Sequence, residues 1–369
     1  MALSPGIEKL RSYLSGTRSR ITSGRTVCCV LGNEAADLDS MASAVMYAYF
    51  RDCTAGADGI AYVPVINIPR EDYKLRTEAV YLFSEAGIDP DWLIFIDEID
   101  LTALHSGGRL KVALVDHNRM AATQEAFAST VIELVDHHKD EGLFENAGPR
   151  MIEPVGSAAT LVAEAVLDRD QSILEQGSAR LLLGTILLDT VNLDPEAKRA
   201  TEKDQQIVEA LTGMTGADRQ ALFDTLQFEK FNVSALSTSD LLRKDYKQWR
   251  MGESRVGISS VLLSVADWLK KDANLSASLA SYLSSQRLDV LIAMNAYTNP
   301  EFTRELVVYC PDEGLLNRLL KFFGESDLGL SAIDSEMVDS STRMYEQANL
   351  GYSRKKLQPL LDGFFASKS

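Results

Sequence analysis

The chain has 369 residues, 46% of them apolar, too long for one ordinary domain and rich enough in apolar side chains to bury a core in each of two. A formal net charge of −16 sets the surface against nucleic acid and anionic membranes, so a polyanionic ligand would need a local cluster of cations or bound metal ions. The N-terminal stretch carries Glu8, Lys9, Arg11, Arg18, Arg20 and Arg25 without an apolar run, unlike a secretory signal peptide, and the apolar stretches at 181–188 and 256–266 are far shorter than the roughly 20 residues of a membrane span.

In chain order, the apolar run 26–31 reads as a buried strand, followed by a helix over 39–49. A strand over 61–66 and a helix over 74–86 come next, then three further strands at 93–96, 112–115 and 131–135. Helical patterns cover 158–167 and 179–189, and 202–231 is polar and helical. Strand candidates return at 254–264, 288–295 and 306–309. Strands alternating with helices predict an α/β fold whose N-terminal domain is a mostly parallel sheet flanked by helices. The boundaries expected are a first domain over 1–215, a linker region over 216–236, and a smaller second α/β domain over 237–369. The four cysteines, Cys28, Cys29, Cys53 and Cys310, lack zinc-ligand spacing and read as buried free thiols of a reducing compartment.

Three predicted strands run into an acid: Asp97, Asp116 and Asp136. Open α/β sheets gather ligands at the carboxyl ends of their strands, so Asp116 and Asp136 lie where a site belongs. Asp37 and Asp39 stand two apart in a loop behind the first strand, from which both carboxylates can aim at one point. Of only four histidines, three directly follow strand-terminal aspartates, in Asp116-His117-Asn118 and Asp136-His137-His138. Asp189 closes an apolar helix. Carboxylates mixed with imidazoles suit Mg²⁺ or Mn²⁺ rather than a thiolate-bound metal, and two such ions can together activate a nucleophile and neutralise phosphoryl oxygens.

These elements, in this order and spacing, resemble the DHH phosphoesterases. The likeness extends through Asp245-Tyr246-Lys247, Val256-Gly257-Ile258 and Ser353-Arg354-Lys355-Lys356, motifs of the pyrophosphatase and exopolyphosphatase branch. It implies a mixed sheet in the second domain and an active site in the cleft between the domains. It also implies two divalent cations held by Asp37, Asp39, Asp116, His137 and Asp189, with Asp116 bridging them. His138 matches a substrate-contacting position, and Lys247, Arg354 and Lys355 match phosphate-binding cations, while Asp136 and His117 orient their neighbours. Asn33 stands where the pyrophosphatases carry histidine. That departure, with the stretch 66–76, resembles the cytosolic exopolyphosphatases of fungi and trypanosomatids. An amide in place of imidazole reduces nitrogen ligation, which points to Mg²⁺, with Mn²⁺ or Co²⁺ as further possibilities, and leaves Asn33 available to a phosphate oxygen.

The expectation is an exopolyphosphatase that removes the terminal phosphate of inorganic polyphosphate by a two-metal mechanism with a metal-bound hydroxide. Asp116, His138 and Asn33 are its catalytic candidates. An inorganic pyrophosphatase or short-chain polyphosphatase shares the chemistry, and a Prune-like regulatory binding protein is the alternative of another class. Prune-like proteins commonly replace the second histidine of Asp-His-His with arginine and tend to have a disordered C-terminal extension. This chain keeps His138 and ends soon after Lys356, which favours an enzyme. Polyphosphate and phosphate are the expected partners, with no nucleic acid and no membrane. The expected address is the cytoplasm, with an acidic phosphate-storage organelle as the other. Oligomeric state is open, a monomer being slightly favoured.

Overall fold

The computed structural model describes residues 6–54, 59–298 and 300–366 and divides the chain into two compact units, Met1–Phe231 and Asn232–Ser369. The first unit opens with α1 (Glu8–Thr22), β1 (Thr26–Leu31), α2 (Leu38–Thr54), β2 (Ile60–Val65), α3 (Thr77–Glu85) and α4 (Leu101–Ser106). It continues with β3 (Leu110–Val115), β4 (Val131–Asp136), β5 (Arg150–Ile152), α5 (Ala158–Arg169), α6 (Gln176–Asp189), α7 (Glu202–Thr215) and α8 (Arg219–Phe231).

The strands form one parallel sheet in the order β2-β1-β3-β4-β5. Both faces of β1 are covered, which is why its sequence is an unbroken apolar run rather than an alternating one. Cys28 and Val30 join Ala113, Val115 and Val135 under α2, α5 and α6, whereas Val27, Cys29 and Leu31 join Val112, Leu114 and Leu134 on the α4 side. The crossover from β1 to β2 leaves the sheet centre in one direction and the return to β3 runs in the other. This opens a crevice at the carboxyl ends of β1 and β3. The loop leaving β1 enters α2 closely: a Cβ on Gly32 would lie 2.9 Å from both Cβ and the carbonyl oxygen of Ser40, so only glycine fits there.

The second unit contains α9 (Thr238–Lys244), β6 (Tyr246–Met251), β7 (Ser254–Val261), α10 (Val265–Lys271), α11 (Leu275–Ser285), β8 (Val290–Thr298) and β9 (Phe302–Tyr309). It ends with α12 (Glu313–Glu325), β10 (Leu330–Ala332), β11 (Thr342–Gln347) and α13 (Arg354–Ala366). Its mixed sheet runs β10-β11-β9-β8-β7-β6, with only β7 and β8 parallel. Val256, Ile258, Ile292 and Val308 pack there against Leu315, Leu319 and Phe323 of α12 and Leu357 and Leu361 of α13. Among the described residues, no helix is long and apolar enough to cross a membrane.

Four expectations change. The run 93–96 is not a strand. Phe95 makes a single bridge to Ile66, and the chain turns at once into a 3₁₀ helix, Ile96–Glu98. Glu98 causes the turn: it accepts the Phe95 N–H at 3.2 Å and is gripped by Arg18 and Arg70. Asp97 is therefore no strand-terminal acid and instead accepts the Arg70 N–H at 3.0 Å. The helix expected over 74–86 is a 3₁₀ turn, Arg70–Leu75, followed by α3. The strand expected over 254–264 stops at Val261 because Ser264 caps α10 by accepting from the Asp267 N–H. Finally, Cys28, Cys29 and Cys310 are buried but Cys53, near the end of α2, is exposed.

Candidate metal centre

Asp37, Asp39, Asp116, His137 and Asp189 all line one cavity of about 380 Å³ in the first unit, together with Asn33, His138, Val155, Gly156 and Arg199. They reach it from four segments of the chain. Asp37 sits just before α2, and its Oδ1 accepts the Ser40 N–H at 3.1 Å, as a capping carboxylate does. Asp39, in the first turn of the same helix, faces the start of α5. Its two oxygens accept the Ala158 and Ala159 N–H groups at 2.6 and 2.8 Å, where the exposed donors of a helix start favour negative charge.

Asp116 follows β3 in a left-handed backbone conformation, φ 61°. Its Oδ2 accepts from Asn33 Nδ2 at 2.8 Å and from Ser40 Oγ at 2.5 Å, and its Oδ1 lies 3.2 Å from His137 Nε2. His137 follows β4. Its Nδ1 lies 3.0 Å from the Val155 carbonyl; donation there holds a proton on Nδ1 and turns Nε2 toward the carboxylates, where it can ligate a cation once its own proton has left. Asp116, His137 and His138 each offer a ligand atom within 4.8 Å of the others.

Behind these groups lies a buried support. Asp136 is fully enclosed and accepts from the backbone N–H groups of His137 and His138 at 2.8 and 3.1 Å. It also holds His138 Nδ1 at 2.8 Å and takes Asn118 Nδ2 at 2.5 Å. His117 turns away, its Nδ1 on the Val115 carbonyl at 2.9 Å and its basicity lowered by burial. The segment 66–76 steadies the Asn33–Asp39 loop from below: Asn67 donates to the Gly32 carbonyl at 2.8 Å and Arg76 to the Ala35 carbonyl at 2.6 Å.

The electrostatics fit a cation. Burial and the Asp116 charge push Asp39 up to about 7. Asp37 is exposed, yet it loses enough hydration, with the Asp116 charge added, to be raised as well. Asp189 is raised far above a normal carboxylate by burial and then by Asp39 and Asp37. For His137 burial works in the opposite direction, but the Asp116 hydrogen bond and the Asp39 charge prevail and raise it to about 10. Asp189 Oδ2 is sealed from solvent with no hydrogen-bond partner. Buried polar atoms are rarely left so, and a divalent ion among four carboxylates and an imidazole would satisfy this one.

The remaining predicted residues lie in the second unit. Lys247 is exposed on β6, Arg354 begins α13, and Lys355 lines a separate surface hollow with Tyr352 and Lys356. Arg354 donates to the Asp245 carbonyl at 2.6 Å and to Asp245 Oδ1 at 2.5 Å, fixing the start of α13 beside the start of β6. Asn33, expected to be free for a phosphate oxygen, spends its amide on Asp116 and its carbonyl on the Ala35 and Ala36 N–H groups at 2.9 and 3.1 Å. Sequence reasoning missed Ser40, Val155, Gly156 and Arg199. Only Ser40 carried a signal, as the residue one past Asp39.

Comparison with known proteins places these features. A model of the DHH family N-terminal domain matches residues 27–188, and one of the DHHA2 domain matches residues 224–364. The chain is 37% identical over 359 residues to "Exopolyphosphatase PRUNE1" of Rattus norvegicus, covering 95% of this chain and 78% of that protein. It is 36% identical over 378 aligned residues to a Schizosaccharomyces pombe protein named "Putative exopolyphosphatase", covering 97% and 96%. Identity is 25% over 269 residues with the "Manganese-dependent inorganic pyrophosphatase" of Methanothrix thermoacetophila, covering 72% of this chain and 79% of that protein.

Proposed function

Because the chain belongs to the DHH family of phosphoesterases, with a DHHA2 domain behind its DHH domain, we propose that it is an exopolyphosphatase releasing the terminal phosphate of inorganic polyphosphate. The observation that carries the reading is the convergence of Asp37, Asp39, Asp116, His137 and Asp189 on one cavity, with a buried oxygen of Asp189 left without a partner. The names of the relatives at 36–37% identity supply the substrate class.

Those five residues would hold two divalent ions, which when bound supply Lewis acidity to the phosphoryl oxygens and to the attacking water. Four carboxylates against one imidazole make a hard, oxygen-rich donor set, so Mg²⁺ is the proposed ion. The protein's own part is preorganisation. Asn33 and Ser40 fix the Asp116 carboxylate, and Val155 fixes the His137 tautomer. Asp136 holds His138 by Nδ1 and leaves Nε2 to hydrogen-bond or protonate the departing phosphate. Lys247, Arg354 and Lys355 are proposed to take substrate oxygens, Arg354 with two donors at once.

The test is phosphate release from long-chain polyphosphate, tripolyphosphate and pyrophosphate, with Mg²⁺, Mn²⁺ and Co²⁺ in parallel. Polyphosphate should be the best substrate and Mg²⁺ should support turnover. Pyrophosphate as the best substrate would make the chain a pyrophosphatase. Stable protein partners without phosphate release would make it a binding protein.

A further inference from the structure

Arg199 lies in the polar stretch between α6 and α7, and among the described residues it is the one Lys or Arg lining the acidic cavity. Its side chain is exposed, and among the described residues its guanidinium makes no hydrogen bond and no ion pair. That is unexpected beside Asp37, Asp39, Asp116 and Asp189, since an arginine meant only to balance carboxylates pairs with one, as Arg354 does with Asp245.

The backbone around it is held firmly. A Cβ on Gly156 would come within 2.8 Å of the Arg199 carbonyl oxygen, so the two strands of chain are in contact. Two residues on, Thr201 caps α7. The fully buried Asp204 ties that cap to the Gly156 loop, accepting from the Gly156 N–H at 2.9 Å, the Thr160 hydroxyl at 2.6 Å and the Thr201 N–H at 2.7 Å. A charged side chain thus stands on a rigid base at the cavity with no partner of its own.

Charge accounting gives it a task. Two divalent ions would just neutralise the four carboxylates, which would leave the cavity with no net attraction for a polyanion. One added guanidinium tips that balance, and its planar donors match two oxygens of a single phosphate.

We propose that Arg199 is a further substrate-contacting residue, a cation of the first unit that grips the phosphate group at the cutting site. The proposal rests on the phosphohydrolase reading above. It adds a contact beyond those the family resemblance implies, and its binding test does not depend on turnover.

The experiment compares wild type with Arg199→Gln and Arg199→Lys, using Lys198→Gln as a control because Lys198 does not line the cavity. Calorimetry with inorganic phosphate in saturating Mg²⁺ gives Kd, and tripolyphosphate hydrolysis gives KM and kcat. Arg199→Gln should weaken phosphate binding and raise KM roughly tenfold to a hundredfold, the range for a lost charged hydrogen bond. Arg199→Lys should recover part of the loss. The Lys198 variant should match wild type, and the Mg²⁺-induced rise in melting temperature should be the same in all four proteins. Phosphate Kd and KM within twofold of wild type in Arg199→Gln would overturn the assignment, as would an equal loss in Lys198→Gln. If wild type cleaves no polyphosphate, the functional reading fails by itself, and the phosphate Kd still decides for or against Arg199.

Discussion

Replacing Asp189 by asparagine should make the metal-free protein more stable and the metal-loaded protein less so. The side chain ends α6 with Oδ2 sealed from water and without a hydrogen bond, and the repulsion of Asp39 and Asp37 outweighs the help of the nearby Ser157 hydroxyl. Its folded pKa lies above the ordinary 3.8, so the ionised group costs stability as pH rises above that value and costs nothing below it. At pH 7 the penalty has a ceiling of about 4 kcal/mol, because protonating a carboxyl of ordinary pKa costs about 1.36 kcal/mol per pH unit and relieves anything larger. The amide keeps the shape but brings an N–H₂ that also lacks a partner, so a net gain of about 1–3 kcal/mol is expected. For a domain of this size that is roughly 3 to 10 °C in melting temperature. Circular-dichroism melts in chelator at pH 7 and near pH 4 would read it, since the gain should fade as the wild-type Asp189 carboxylate loses its charge. Repeated with Mg²⁺, the order should invert, because wild type gains a ligand-bound state that the variant holds weakly. A variant as stable as wild type in chelator, or one that gains as much from Mg²⁺, would refute the idea that this carboxylate is kept for a cation.

Metal affinity should climb between pH 6 and 9, because protons on Asp39, Asp189 and His137 must leave before an ion enters; calorimetry in two buffers of different ionisation enthalpy should register their release. Asp116→Ala should nearly abolish hydrolysis and remove the Mg²⁺-induced melting shift, whereas Arg354→Ala should act mainly on KM, as steady-state kinetics would show. In Gly156→Ala the new methyl would meet Thr190 Cγ2 at 2.5 Å and the Arg199 carbonyl oxygen at 2.8 Å. Backbone must yield there, so a loss of about 1–3 kcal/mol is expected in denaturant unfolding, with weaker metal binding.

Much of the first unit was legible in sequence because its strands are buried on both faces and their acids fall at the carboxyl ends. β1, β3 and β4 announce themselves as apolar runs, and Asp116 and His137 follow directly. The run 93–96 misled for the same reason: burial of Ile94 and Phe95 needs no strand, and the turn depends on Glu98 meeting Arg18 and Arg70 from distant segments. β6 was invisible as a strand because it is a sheet edge whose residues, Tyr246 to Met251, are mostly solvated, so no apolar period of two survives. Helix α1 offered its Leu10, Leu14 and Thr17 spacing, yet the surrounding arginines masked it. Arg199 could not be found by pattern at all, since nothing local marks a loop arginine that shares a cavity with four carboxylates from three other segments.

The alternation of the two adjacent cysteines has a practical consequence. Cys28 and Cys29 point to opposite faces of β1, an interior strand of the first unit's sheet, and burial raises both thiols, Cys29 to about 12. Cys310 is buried just past β9 in the other unit, and only Cys53 meets solvent. With Cys53 blocked or replaced, alkylation of the remaining thiols becomes a clock: the Cys28–Cys29 peptide times the opening of one half of the chain, and the Cys310 peptide times the other. A mass spectrometer can therefore follow how each half loosens when an ion is withdrawn, with no label added.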